Sequence, residues 1–287
     1  MILITGATGT NGSLIAERFA AAGIPARHMV RDSDGVALPT YPGSELVEAD
    51  FDDPASLAGA LKGVTAAFLV TPSSAEAEAR QQRFVDAAEK AGLPHLVKLS
   101  QFAADEGSPV RFLRYHAAVE ARIRERLPSW TLLRPNLYMQ GLLGFAGMIA
   151  EGTLPGAAGS ARVSLIDVRD IADVAVAALT EPAKHHGQTY TLTGPAAPTH
   201  DEIASELSRV VGTQVKYTDM PPEALAEAAK AMGMDLWQAD GLAEDYAHYV
   251  RGEAAEVTGT VAAVTGHAAR DLRAFLTDHG GAFRHAA

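Results

Sequence analysis

The residues best placed to do chemistry stand at the start of the chain. Gly6-Ala7-Thr8-Gly9-Thr10-Asn11-Gly12 sets three glycines at a spacing of three, directly after the apolar run Met1 to Thr5 and before an amphipathic stretch. In a strand, loop and helix setting, Gly6 allows a tight turn and Gly9 lets the backbone approach a pyrophosphate. Gly12 lets helix and strand pack closely. The phosphates then meet unpaired N–H groups and the positive end of the helix dipole. Gly6, Thr8, Gly9, Thr10, Asn11 and Gly12 are therefore expected to bind a dinucleotide. A glycine-rich turn with no ligand is the plainer reading.

The end of the second strand should meet the adenosine ribose, and it carries Arg31 followed by Asp32. An arginine there favours a 2′-phosphate, whereas a carboxylate accepts from a 2′-hydroxyl and repels the phosphate. The expected cofactor is NADP, with NAD the alternative if Asp32 is the side chain that points inward. Asp50 and Phe51 close the third strand, where a loop can cover the adenine. Val70, Thr71 and Ser73 end the fourth, where ligands of open α/β sheets lie. Core packing competes with adenine contact at Phe51, and a helix cap competes at Ser73.

Regular elements must hold these residues in place. Short apolar runs at Met1 to Thr5, Ala26 to Arg31, Glu45 to Glu48, Ala66 to Thr71, His95 to Ser100 and Thr131 to Leu133 read as six strands. Leu14, Ile15 and Phe19 stripe one intervening helix; Phe84, Val85, Ala88 and Ala91 stripe another. Strands alternating with helices predict an α/β fold: a doubly wound parallel Rossmann sheet with a smaller C-terminal α+β substrate lobe. The cofactor domain is expected over 1–135 and the substrate or partner lobe over 136–287, tightly packed and with segments free to interleave. In the lobe, Arg162 to Ile166 and Thr189 to Thr193 read as strands. Helices are expected near Arg169 to Thr180, His200 to Val211, Pro222 to Met232 and Leu236 to Arg251.

Composition narrows the function classes. The formal charge of the 287 residues is −11, which disfavours nucleic acid as a partner. There is no cysteine, so disulfides and thiolate chemistry are excluded. No metal site is expected, because His95 and the pair His185 and His186 lack partners at ligand spacing. The N-terminus has no basic segment followed by a long apolar one, and no stretch is apolar enough to span a membrane, so a cytoplasmic protein without membrane attachment is expected. A homo-oligomer is compatible with all of this.

Taken with Val30-Arg31, Leu99-Ser100, Leu133-Arg134-Pro135-Asn136 and Asp167-Val168-Arg169-Asp170-Ile171-Ala172, the glycine motif resembles the NmrA-like branch of the atypical short-chain dehydrogenase/reductase superfamily. That branch includes bacterial NAD(P)H:quinone oxidoreductases and triphenylmethane reductases, and the resemblance spans nearly the whole chain. The superfamily's usual mechanism needs Tyr-x-x-x-Lys, in which lysine lowers the tyrosine pKa for proton exchange with substrate. Here His116 and Glu120 stand at those places, as the branch itself departs from the parent pattern. Tyr115 lies about 100° around the helix and has no lysine four residues on. At i and i+4, His116 and Glu120 can hydrogen-bond, and a carboxylate partner raises an imidazole pKa toward that of a general acid. The same pair also reads as a brace between helix and sheet. The resemblance places Ser100 where the superfamily keeps a substrate-orienting serine, so the catalytic candidates are His116, Glu120 and Ser100.

A bound nicotinamide can pass hydride directly to a strongly electrophilic acceptor when the protein only holds the two rings together. The absent Tyr-Lys pair therefore argues against alcohol–ketone exchange more than against reduction. A small hydrophobic, aromatic or quinone-like substrate is expected between the nicotinamide and the lobe, against Phe102, Tyr138, Met139 and Leu142, with Trp237, Tyr246 and Tyr249 further candidates. Two alternatives stay open: a catalytically inert NAD(P)-binding redox sensor, and a reductase of an imine or activated alkene.

Overall fold

The computed structural model describes residues 1–36, 38 and 42–284. Its elements run β1 (Ile2–Ile4), α1 (Thr10–Ala21), β2 (Ala26–Val30), β3 (Glu45–Glu48), α2 (Pro54–Ala60), β4 (Ala66–Leu69), α3 (Ala77–Lys90), β5 (Leu96–Leu99), α4 (Arg111–Arg126) and β6 (Trp130–Pro135). There follow β7 (Leu137–Tyr138), α5 (Ala146–Ala150), β8 (Thr153–Gly156), β9 (Leu165–Ile166), α6 (Val168–Thr180), α7 (Pro182–His185), β10 (Gln188–Leu192) and α8 (His200–Val211). The chain ends with β11 (Lys216–Asp219), α9 (Pro222–Ala231), α10 (Leu236–Val250), α11 (Thr260–Thr265) and α12 (Leu272–His279).

The main sheet has seven strands in the order β10-β6-β5-β4-β1-β2-β3. Its pairs from β6 through β3 are parallel, with Ile2 opposite Ala26 on one side and Ala66 on the other. The order doubles back at β1, so the sheet is wound in two halves from that strand, and the crevice of such a fold opens beyond the C-terminal ends of the strands. All six expected strands are present. The seventh, β10, falls within the expected C-terminal lobe but joins the main sheet beside β6. Of the expected strand from Arg162, only Leu165–Ile166 forms, paired with Leu137–Tyr138, and β8 pairs with β11. Neither β8 nor β11 stood out in sequence, because each has only four residues and no alternation of polarity.

Two compact units interleave along the chain. The first comprises Met1–Glu106, Leu113–Arg134 and Ile171–Tyr190; the second comprises Gly107–Phe112, Pro135–Asp170 and Thr191–Ala287. Relative to a single cut at Pro135, the segments Gly107–Phe112 and Ile171–Tyr190 change sides. The latter is tied to the first unit by an ion pair between Arg18 and Asp173, and by the bond from Gly187 N–H to the Trp130 carbonyl at 2.8 Å. The first unit's core gathers Leu3, Met29, Leu57, Leu69, Phe84, Val85, Leu96, Val119, Ile123 and Leu132. These are the inward faces of the sheet and its helices, as the apolar stripes require. The second unit has its own core, built on Met139, Ile149, Leu154, Leu165, Leu207, Phe275 and Phe283.

Several helices start with a side-chain cap. Asp53 caps α2 ahead of Pro54, Thr199 and Glu202 form a reciprocal capping box on α8, and Asp235 and Asp271 cap α10 and α12. α1, like α3, α9 and α11, has no side-chain cap: its cap position is Gly9, with no side-chain oxygen to satisfy the first turn.

Candidate functional site

The loop after β1 is shaped by contacts that only glycine permits. Thr5 anchors it: its hydroxyl accepts from Val70 N–H at 2.9 Å and donates to the Val70 carbonyl at 3.0 Å, which fixes the end of β1 to the end of β4. Gly6 then turns with φ +57, and a Cβ there would fall 2.7 Å from Val70 Cγ1. A Cβ on Gly12 would fall 2.2 Å from the Gly6 carbonyl oxygen, so this position is closed to every other residue. Gly9 is different. A Cβ there meets only the Gly6 oxygen, at 3.3 Å, and the residue is exposed. The fold therefore needs Gly6 and Gly12 for itself, while Gly9 leaves open the outer face of the loop between Thr8 and Thr10, both also exposed.

The uncapped first turn of α1 adds the electrostatics. Helix geometry leaves the N–H groups of Thr10, Asn11 and Gly12 without intrahelical partners, and no side-chain cap replaces them. Asn11 is buried, and its Oδ1 has no hydrogen-bond partner among the described residues. A glycine cradle, three unclaimed N–H donors and the helix dipole fit a pyrophosphate.

Around the loop the other expected contacts take definite places. Arg31, just past β2, is exposed, and among the described residues no hydrogen bond or ion pair engages it. Asp32 turns away into its own loop, accepting from Asp34 N–H at 2.9 Å. Next to it, Glu48 accepts from Ser33 N–H at 3.1 Å and from the Ser33 hydroxyl at 2.5 Å, and those two bonds hold its carboxyl below the usual range. Asp50 accepts from Asp52 N–H, and Arg80 and Arg83 of α3 both bind the Asp52 carboxylate. Phe51 packs half-buried on the first unit's core, its ring 6.0 Å from that of Phe84. Thr71 is buried and accepts from Gln81 at 2.8 Å. Ser73 does not cap α3, whose cap position is Glu76; its hydroxyl lies 3.5 Å from that of Tyr115.

Behind β5 the structure departs from expectation. His116 and Glu120 are both buried on α4, and they do not pair with each other. Glu120, wholly buried, accepts from Arg134 at 2.6 and 2.9 Å, from the Ser100 hydroxyl at 2.5 Å and from Arg124 at 3.0 Å. Burial alone would push its carboxyl up, but the bonds from Arg134 and Ser100 outweigh that and hold it below its ordinary value. His116 Nδ1 lies instead 2.7 Å from Nζ of Lys98, a residue of β5 with no solvent exposure. Lys98 also donates to the Leu99 carbonyl at 3.1 Å. Burial pulls the Lys98 ammonium down to about 7 against the attraction of Glu120. Burial, and then the charges of Lys98 and Arg134, drives the His116 imidazole well below its usual value. The expected rise in that pKa is thus reversed: the imidazole's neighbour is a cation, and the carboxylate is committed elsewhere. Tyr115 is no substitute acid, since burial raises its phenol to about 12.

Sequence reading missed Lys98. The signal was present, a single lysine inside the apolar run Leu96-Val97-Lys98-Leu99, where solvation of the charge is impossible without a built partner.

The expected substrate wall divides between the two units. Phe102 is buried in the first. Met139 and Leu142 belong to the core of the second, and Tyr138 is half-buried there. Trp237 stacks on Phe112 at 5.3 Å and lies under the Arg111 guanidinium, which is itself paired with Glu244. Tyr246 packs between His200 and Tyr249, and Tyr249 donates to Asp245 at 2.8 Å.

The NmrA-like family profile matches residues 1–275. The chain belongs to the NmrA-like family. An NAD(P)H azoreductase of Xenophilus azovorans is 36% identical over 284 residues, covering 99% of both chains. The NADPH-dependent quinone oxidoreductase of Escherichia coli, solved with NADPH, is 28% identical and superposes over 97% of this chain and 99% of its own with a TM-score of 0.87. The triphenylmethane reductase of a Citrobacter species, solved with NADP(H), is 26% identical over the same 97% and 99%, with a TM-score of 0.86. No helix among the described residues is long and apolar enough to cross a membrane.

Proposed function

We propose that this NmrA-like protein is an NAD(P)H-dependent oxidoreductase that reduces a strongly electrophilic aromatic acceptor, of the quinone or dye class, by direct hydride transfer. The observation that carries this reading is the pairing of a phosphate cradle with a histidine and a glutamate that stand in place of a Tyr-Lys pair and have no proton to give up near neutral pH. The uncapped turn of α1, with Gly9 open above it, binds the pyrophosphate, and Arg31 supplies the charge for a 2′-phosphate. Reduced nicotinamide supplies the hydride once bound.

At the place of the superfamily's tyrosine and lysine stand a histidine kept neutral and a glutamate locked in ion pairs. Neither has a proton to deliver near neutral pH. An acceptor for this site must therefore tolerate hydride without strong acid catalysis. A quinone meets that condition, because its reduced oxyanion is delocalised and can take a proton from water. A cationic dye meets it too, since hydride neutralises its charge. The azoreductase, quinone reductase and triphenylmethane reductase relatives act on acceptors of these kinds by name.

The test follows NADPH and NADH absorbance against quinones, azo dyes, triphenylmethane dyes, imines, enones and simple ketones. Turnover is expected with the quinone or dye members and not with ketones, with NADPH preferred. Arg31→Ala should cost NADPH about 1.5–3 kcal/mol of binding, the range of a charge-assisted hydrogen bond, and leave NADH nearly as it was. Silence across the whole panel in a protein that binds NADPH would refute the reading and leave a sensor.

A further inference from the structure

Lys98 lies outside the glycine loop and the other residues expected to hold the cofactor, yet the fold buries it completely. An ammonium with no exposure in the middle of a sheet is costly unless a specific arrangement holds it. The partners are few and definite. Nζ contacts the Leu99 carbonyl oxygen and His116 Nδ1, and the compensating carboxylate is Glu120, one turn further along α4. The other groups around the imidazole are Arg134 of β6, whose charge acts on it, and the neighbouring Tyr115 ring, 4.1 Å away.

We infer that Lys98 is a positioning residue that fixes His116 in the neutral form protonated on Nε2, so that the imidazole offers a hydrogen bond to the oxygen of a carbonyl-type acceptor without surrendering its proton. While Lys98 is charged, one assignment remains. An ammonium has three donors and no lone pair, so the 2.7 Å contact then requires an unprotonated Nδ1, and a neutral ring with a bare Nδ1 carries its hydrogen on Nε2. Protonating Nδ1 would set two buried cations against each other, which agrees with the depressed imidazole pKa. Nε2 makes no hydrogen bond among the described residues. α4 lies here beside the ends of β4 and β5, through the Ser73 to Tyr115 and Lys98 to His116 contacts. That is the rim on which ligands of this fold sit.

This rests on the reductase reading only for its choice of acceptor. A quinone or other carbonyl acceptor develops negative charge on oxygen as hydride arrives, and a fixed N–H donor stabilises it. A triphenylmethane cation has no such oxygen, and the donor gains it nothing. Lys98 therefore tunes the protein toward oxygen-bearing acceptors.

The experiment records nitrogen NMR of the His116 ring at pH 6, below the Lys98 midpoint, and kinetics on one quinone and one triphenylmethane dye. Wild-type protein should show a single neutral ring protonated on Nε2. Lys98→Met should admit the other tautomer or a titrating imidazole, and should lower the quinone-to-dye ratio of kcat/KM about fivefold, the worth of one hydrogen bond. Lys98→Arg, which keeps a donor, should retain the wild-type ring form and guards against a Met variant that fails to fold. A wild-type ring protonated on Nδ1, or one titrating near 6.5, would overturn the inference. So would an unchanged ring in Lys98→Met, or a loss equal on both acceptors. If neither acceptor is reduced, the reductase reading fails while the NMR result still decides the Lys98 to His116 link.

Discussion

At the end of β1 the loop from Gly6 to Gly12 works with backbone alone, whereas at the end of β5 the corresponding face works with side chains drawn from three elements. In the loop, neighbours in sequence are neighbours in space, and each glycine answers a contact that can be named from the motif. Behind β5, Lys98 and Ser100 come from one strand, His116 and Glu120 from a helix and Arg134 from the next strand, and partners were exchanged relative to the simplest helical pairing. The two places differ in what protects them: steric closure in the loop, balanced buried charge in the cluster.

That contrast can be broken most severely at Gly9. Its Cβ is nearly tolerated by the protein itself but would stand where pyrophosphate must approach, so Gly9→Val should fold with little loss of Tm and lose NADPH affinity by more than about a hundredfold in calorimetry. Wild-type affinity in the folded variant would remove the loop from the binding site.

In the cluster the corresponding change acts on stability. Glu120→Ala leaves Arg134 and Lys98 facing each other without a counter-charge, and breaking a buried pair in this way costs about 3–5 kcal/mol. Denaturant unfolding should register that loss together with a weakened Ser100 and Arg134 anchorage. A change under about 1 kcal/mol would mean that water enters the cluster and solvates its charges.

The smallest effect sharpens the comparison through pH. The loop has no titratable side chain, but the first unit buries His95 and His116 with their imidazoles depressed, His95 to about 4 chiefly by burial. The unfolded chain binds protons near 6.5 where the folded one does not, so stability is full above about 6.5 and falls as pH drops toward 4. For His95 the loss is about 2 kcal/mol between pH 7 and 5, and His95→Gln should flatten that part of the Tm profile. A profile already flat in the wild type would show that these rings are protonated inside the fold.

Legibility followed the same division. The glycine loop, the six parallel strands and α8 were readable because their determinants are local: glycine spacing, runs of apolar residues, and acidic residues in the first turn of a helix. β10 was misplaced because five residues beginning Gln188-Thr189 carry no mark of which sheet they will join, and that choice depends on the edge that β6 leaves open. Interleaving was allowed for, but which segments cross over was not legible, since an ion pair such as Arg18 with Asp173 joins positions that nothing in the sequence relates.

By itself, then, the sequence determined that a glycine loop would run from a strand into a helix and that no tyrosine and lysine would stand one turn apart. These are statements about spacing, and spacing survives any packing of the rest. Only the tertiary structure decided that Glu120 would belong to Arg134 and Ser100, and that His116 would belong to Lys98. A buried charge takes whichever partner the sheet brings within about 3 Å, and at that range the Coulomb and hydrogen-bonding terms outweigh the preference of a helix for its own i+4 neighbour.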